Sequence, residues 1–129
     1  MLRRKWLGAL VVLGSLMFAA PALALPMVSL RVGGQTDDQH GKPVQVRGRV
    51  RALTDGRFIE DKPVHGGGRF FDQGLTAVVE TPLQHTLILT SLPMAPVSLE
   101  QVRSAGVNPE RFQVIVAKGV VAPRGAYEP

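Results

Sequence analysis

The chain of 129 residues has no cysteine. No disulfide can staple it, so an exported form must be held by its core alone. Trp6 and Tyr127 are the single Trp and the single Tyr, and no aromatics alternate with basic residues as a nucleic-acid surface would want. No G-x-S-x-G elbow occurs, and the chain is far too short for an α/β-hydrolase sheet. No G-K-[ST] follows the glycines at 66–68, which excludes a phosphate loop. His40, His65 and His85 stand 25 and 20 residues apart. Neither gap fits one helical turn or one short strand, so no metal-ligand spacing is present.

The N-terminus has its own composition. Arg3, Arg4 and Lys5 precede an apolar run from Trp6 to Ala20, and Ala22-Leu23-Ala24 closes it. A basic head, an apolar middle and an A-x-A end make a secretory signal peptide, with cleavage expected after Ala24. A membrane span fits less well, because it wants about 20 apolar residues and Pro21 interrupts this run. Arg3-Arg4 leaves open general or twin-arginine export. The expected layout is thus a leader over 1–24 and one domain over 25–129. The expected location is periplasmic or secreted, or cytoplasmic if Met27 is the true start. Any membrane contact would come through an uncleaved leader. Of the 15 Lys and Arg, the leader holds three and no acid, which leaves 12 against 10 Asp and Glu. A net charge near +2 gives no reason to expect a nucleic-acid partner.

Past the leader, turns and alternation set the fold. MVSLRV (27–32) reads as a strand that ends at Gly33-Gly34. In PVQVRGRVRAL (43–53), Val44, Val46, Gly48, Val50 and Ala52 share one face, and Gln45, Arg47, Arg49 and Arg51 share the other. That period of two is the half-buried strand signature. An Asp55-Gly56 turn is expected to fold this strand into a hairpin with a short one at 57–60. LTAVVET (75–81) and HTLILTS (85–91) are too close to be anything but antiparallel neighbours. SLEQVRSAG (98–106) reads as a short helix, with the Ser98 side chain capping the Gln101 amide, the Gln101 side chain reaching back to Ser98, and Gly106 as its left-handed stop. FQVIVAKGVVA (112–122) is a last strand. The expected class is α+β, mostly β: antiparallel strands with one short helix, preceded by a cleavable signal-peptide helix.

VHGGGRFFDQG (64–74) poses the sharpest chemical question. A His before three glycines can aim backbone amides at an alkoxide. Without a nucleophile elbow it reads instead as a tight loop whose glycines take positive φ. Phe70, Phe71 and Leu75 are expected to close the core over it. Arg47, Arg49 and Arg51 could meet phosphates, but read better as a solvated or domain-facing polar face.

Four stretches in order are VSLRVGGQTDDQHGKPVQVRGRVRALTDGRF, GGGRFFDQGLTAVVE, LILTS and GVNPERFQVIVAKGVVAPRGAYEP. Together, over roughly 28–129, they resemble the C-terminal domain of the microcystinase C (MlrC) family of zinc metallopeptidases. The resemblance implies that zinc and the peptidase chemistry belong to a large N-terminal domain, of which nothing here is a match. It also implies that only part of the second domain is present, since family members continue past Tyr127-Glu128-Pro129. No catalytic residue and no metal ligand carries over, and no cofactor is expected in this chain. Gly33, Gly34 and Asp37 match a Gly-Gly-Lys-Thr-Asp stretch of the family, with Gln35 where Lys is usual. Lys118 and Arg124 match basic positions. These five and His40 are the candidate contacts to substrate or to the absent domain.

Three functions follow. The first is a non-catalytic accessory domain, whose partner is a separate metallopeptidase catalytic domain. The second is an enzyme: a hydrolase component that works with a separately encoded zinc domain, or itself cleaves small peptides. The third is a periplasmic module that binds a peptide or an anion. Sequence leaves open whether the chain is itself an enzyme.

Overall fold

The structure, a computed structural model, describes residues 11–15, 26–34, 37–39, 41–62, 66–119 and 121–127, and at 11–15 the backbone alone. The strands are β1 (Val11–Ser15), β2 (Met27–Val32), β3 (Val44–Thr54), β4 (Arg57–Ile59), β5 (Phe70–Asp72), β6 (Thr76–Glu80), β7 (His85–Thr90) and β8 (Phe112–Ala117). Helix α1 spans Glu100–Arg103, a 3-10 turn spans Pro109–Arg111, and helix α2 spans Arg124–Tyr127. The class is mostly β and antiparallel, with two short helices where one was expected. Most of the leader, and the helix expected in it, lies outside the described residues. Its segment Val11–Ser15 is extended.

Six strands form one sheet in the order β2-β3-β6-β7-β1-β8, and β4 with β5 forms a second. Alternation sorts the large sheet into two apolar faces. On one, Val78 and Ile88 pack with Val102, Ala105 and Val107 from around α1, flanked by Ala52, Phe112, Ile115 and Tyr127. On the other, Ala77, Val79, Leu87 and Leu89 pack with Val28, Leu30, Val32, Val46 and Val50. Fully burying a Val, Leu or Ile side chain contributes about 1.5–3 kcal/mol, and the alanines and partly buried residues contribute less. Val79, fully buried, is the centre of the second face.

Three local expectations change. The register slips between Val50 and Ala52, so Val50 opposes Val79 and Ala52 opposes Val78. The extra residue, Arg51, is a bulge. Ala52 therefore joins the α1 face, opposite to that of Val50. Next, β4 pairs with β5 rather than with β3. Gly56 adopts φ 72°, and its carbonyl accepts the Gln73 amide at 3.1 Å, which carries the chain out of the large sheet. Finally, Phe70 is 80% exposed and Leu75 is also exposed, so they do not close the core. Only Phe71 turns inward, stacking on Phe58 with ring centroids 5.1 Å apart.

Helix α1 is a single turn. The Ser98 hydroxyl accepts the Glu100 amide at 2.9 Å, while the Gln101 amide donates to the Ser98 carbonyl. The expected cap is therefore not made. Leu99 is the N-cap and carries no side-chain hydrogen bond, and the Ser98 hydroxyl meets the Glu100 amide instead of that of Gln101. The Gln101 side-chain oxygen has no partner among the described residues, so it does not reach back. Gly106 stops the helix at φ 78°, and the Val107 amide reaches back to the Val102 carbonyl, the hydrogen bond of a Schellman stop. Among the described residues, no helix is long and apolar enough to cross a membrane.

Candidate functional site

A cleft of about 500 Å³ opens between the end of β4, the start of α1 and α2. Its walls include Glu60, Lys62, Ser98, Arg103 and Ala126. Glu60 follows β4 directly, and its amide donates to the Arg69 carbonyl at 2.8 Å, so the small sheet fixes its backbone. Its carboxylate is buried. One oxygen accepts the Ser98 hydroxyl, and the other accepts the Lys62 amide at 2.9 Å.

The Ser98 hydrogen bond does most to hold the Glu60 carboxyl below its ordinary range. The Lys62 amide and the charges of Lys62 and Arg103 act the same way, and burial opposes them. Glu60 is therefore an anion at neutral pH. A carboxylate with a lowered pKa is a weak proton acceptor. Ser98 is also buried, its hydroxyl donating to Glu60 and accepting from Glu100. The pair is a clamp, not an activated nucleophile.

Arg103 crosses the cleft wall. One Nη donates to Glu100 at 2.9 Å and the other to Glu110 at 3.3 Å. The Glu100 hydrogen bond is the main reason that its pKa is raised further. On the third side, the Tyr127 hydroxyl donates to the Ser98 carbonyl at 3.4 Å, and burial pushes its pKa up to about 12. Anions at Glu60, Asp61 and Glu100 thus stand beside cations at Lys62 and Arg103. Several of these charges are already paired, Arg103 with Glu100 and Glu110 and Asp61 with Arg69.

The described residues do not fit a zinc ion. No group of three His, Cys, Asp or Glu among them lies close enough to hold a metal. His85 is exposed. His40 and His65 lie outside the described residues.

The residues singled out from sequence do not form one site. Gly33 and Gly34, with φ 70° and 53°, turn β2 into β3. A Cβ on Gly34 would lie 2.5 Å from the Lys42 carbonyl carbon, so that glycine is required for close backbone approach. Asp37 accepts the Gln39 amide at 2.8 Å in the same loop. Lys118 follows β8 at the opposite edge of the sheet. Tracing the antiparallel registers across the strands also puts it at the opposite end. Arg124 begins α2, whose Gly125 and Ala126 line the cleft. Of the described candidates, only Arg124 adjoins the cleft.

Gly66 and Gly67 carry φ of 86° and 68°, and Gly68 sits under the Phe71 ring. The loop is a turn whose glycines supply left-handed backbone. Sequence reasoning missed Glu60, Ser98, Arg103 and Tyr127 as a group. Ser98 did carry a signal, as the expected helix cap, but nothing local points from it to Glu60.

A family model described as MlrC C-terminus matches residues 26–129. No curated protein matches the chain.

Proposed function

The chain belongs to the MlrC C-terminus family, and from that premise we propose that it is a non-catalytic accessory domain working beside a zinc peptidase domain. The observation that carries this is the extent of the match, residues 26–129: every described element after the leader belongs to the C-terminal module. The zinc domain that the resemblance implies is not among these residues. Its zinc would be held there, and this chain would supply contacts. Exposed Val114 and Val116 on β8 suit a contact with another domain. The signal-like leader supports a periplasmic setting.

Co-expression of the full chain with an MlrC-type zinc domain tests the reading. A stable complex on size exclusion, with peptidase activity raised over the zinc domain alone, is expected. Separate elution with no change in activity would contradict it.

One observation favours a second reading, a peptide-binding module. The cleft places Arg103 and Lys62 beside Glu60 and Asp61. A peptide's carboxylate and amine would bind there by exchanging with the pairs that Arg103 makes to Glu100 and Glu110 and Asp61 makes to Arg69. A panel of short peptides that raises the melting temperature of the isolated chain, with the rise removed by Arg103→Ala, would support it. No shift across the panel would count against it.

A further inference from the structure

Strand β1 lies inside the sheet, between β7 and β8, yet it comes from the leader expected to be cut after Ala24. Its ladders are antiparallel on both sides. Val11 and Val12 oppose Ile88 and Leu87 on β7, and Ala117 and Val116 on β8. Among the described residues, β8 has no other strand partner. Cleavage after Ala24 therefore removes β1 and takes the ladder of β8 with it. Strands lie about 4.8 Å apart, so a gap of about 10 Å would separate β7 from β8. Both rims would bear unpaired amides and carbonyls, a template for another strand.

We propose that the slot between β7 and β8 is a strand acceptor, which in the leader-cleaved chain takes an apolar, β-branched strand from a partner polypeptide. The chemistry of the occupant follows from its neighbours. The position of Val12 has Leu87 on one side and Val116 on the other, and that of Val11 has Ile88 and Ala117. Leu87 and Ile88 are buried. Val116 is 50% exposed, so the apolar demand falls on the row of Val11, between Ile88 and Ala117, where a charge would be left unpaired. Main-chain hydrogen bonds on two sides supply the affinity, as in strand addition generally. Before cleavage, β1 holds the place itself. This proposal rests on cleavage of the leader, as the periplasmic reading has it, and not on the accessory role; its test uses neither zinc nor peptidase.

The experiment is hydrogen exchange on the full chain, kept from export, with Val12→Pro. A proline in a two-sided strand breaks both ladders. Exchange at 112–117 is expected to speed by roughly 100-fold, while 76–80 stays protected. A peptide spanning residues 10–16, flanked by lysines for solubility, should restore the protection; the same peptide with proline for Val12 should not. If β8 stays protected in Val12→Pro, or if it loosens and the peptide fails to restore it, the proposal is overturned. Should Val12→Pro fail to fold, a second variant decides. It carries a protease site at 19–22 and is cut after folding. Its released leader should be exchanged for a labelled copy of the peptide, and a cut chain that takes up no label would overturn the proposal.

Discussion

The Ser98 hydroxyl donates to the Glu60 carboxylate across 38 residues of chain. That one contact ties the end of β4 to the start of α1. The same hydroxyl accepts the Glu100 amide, so one side chain meets the first amide of the helix and holds a buried anion. Ser98→Ala removes both. A hydrogen bond to a charged group is worth about 1.5–3 kcal/mol, and one between a hydroxyl and an amide about 0.5–1.5 kcal/mol. The variant should melt well below the parent in a thermal scan. An unchanged melting temperature would show that the clamp carries no stability.

The lowered pKa of Glu60 gives acid unfolding a direction. A carboxyl whose folded pKa lies below its unfolded value stabilises the fold above the unfolded value. Here the ordinary value is 4.5. That stability is fully present at neutral pH and is lost as pH falls through the folded pKa. Glu60→Gln should be less stable at neutral pH and show a shallower loss below 4.5. Parallel acid limbs in parent and variant would contradict this.

Tyr127 titrates in the other direction. Burial raises its pKa to about 12 from 10.0. The folded chain keeps the phenol proton where the unfolded chain has lost it. Its contribution to stability is therefore whole below 10.0 and falls as pH rises toward about 12. Tyr127 is the single tyrosine, so tyrosinate absorbance reads it alone. The folded chain should show a midpoint near about 12, and the denatured chain one near 10.0. Coincident curves would place the phenol in solvent.

Gly56 should not tolerate a side chain. Its φ is 72°, and an added Cβ would lie 2.0 Å from the Gly74 carbonyl oxygen. Backbone must move to relieve that contact. Gly56→Ala should cost at least about 1–3 kcal/mol for the strained conformation alone. Gly66→Ala, where nothing lies within 4 Å, should cost less. Denaturant midpoints compare the two, and equal costs would contradict the close approach.

Two buried amides give a prediction of opposite sign. Gln73 donates to the Gln101 carbonyl at 3.4 Å, but the side-chain oxygens of Gln73 and Gln101 have no partner among the described residues. An unsatisfied buried oxygen costs about 1–3 kcal/mol. Gln101→Met keeps the length and removes one such oxygen. Its melting temperature should hold or rise. A fall of roughly 4–8 °C, equivalent to about 1 kcal/mol in a domain of this size, would show that the amide is bonded after all.

Alternation made the large sheet legible. Val44, Val46, Gly48 and Val50 lie on one face because successive side chains point to opposite faces, and β6 and β7 pair because the four residues between them cannot carry a crossover. The bulge at Arg51 was not legible, since a register slip leaves no mark in the pattern of its own strand. The same holds for β4, whose partner lies beyond the glycine loop. The cleft was the least legible feature. Glu60, Ser98, Arg103 and Tyr127 meet only through tertiary packing, and no spacing along the chain connects them. Gly34 and Gly106 were readable as turn glycines because their φ values follow from local geometry. The family resemblance rested on ordered words of sequence, and it holds across 26–129.

The most direct test is to purify the full chain and measure bound zinc and peptidase activity on one folded sample. A folded chain without stoichiometric zinc, and without cleavage of a peptide panel, is the result expected of an accessory domain. Stoichiometric zinc with peptide cleavage, both lost on mutation of His40, His65 and His85, would contradict it and make the chain an enzyme in its own right.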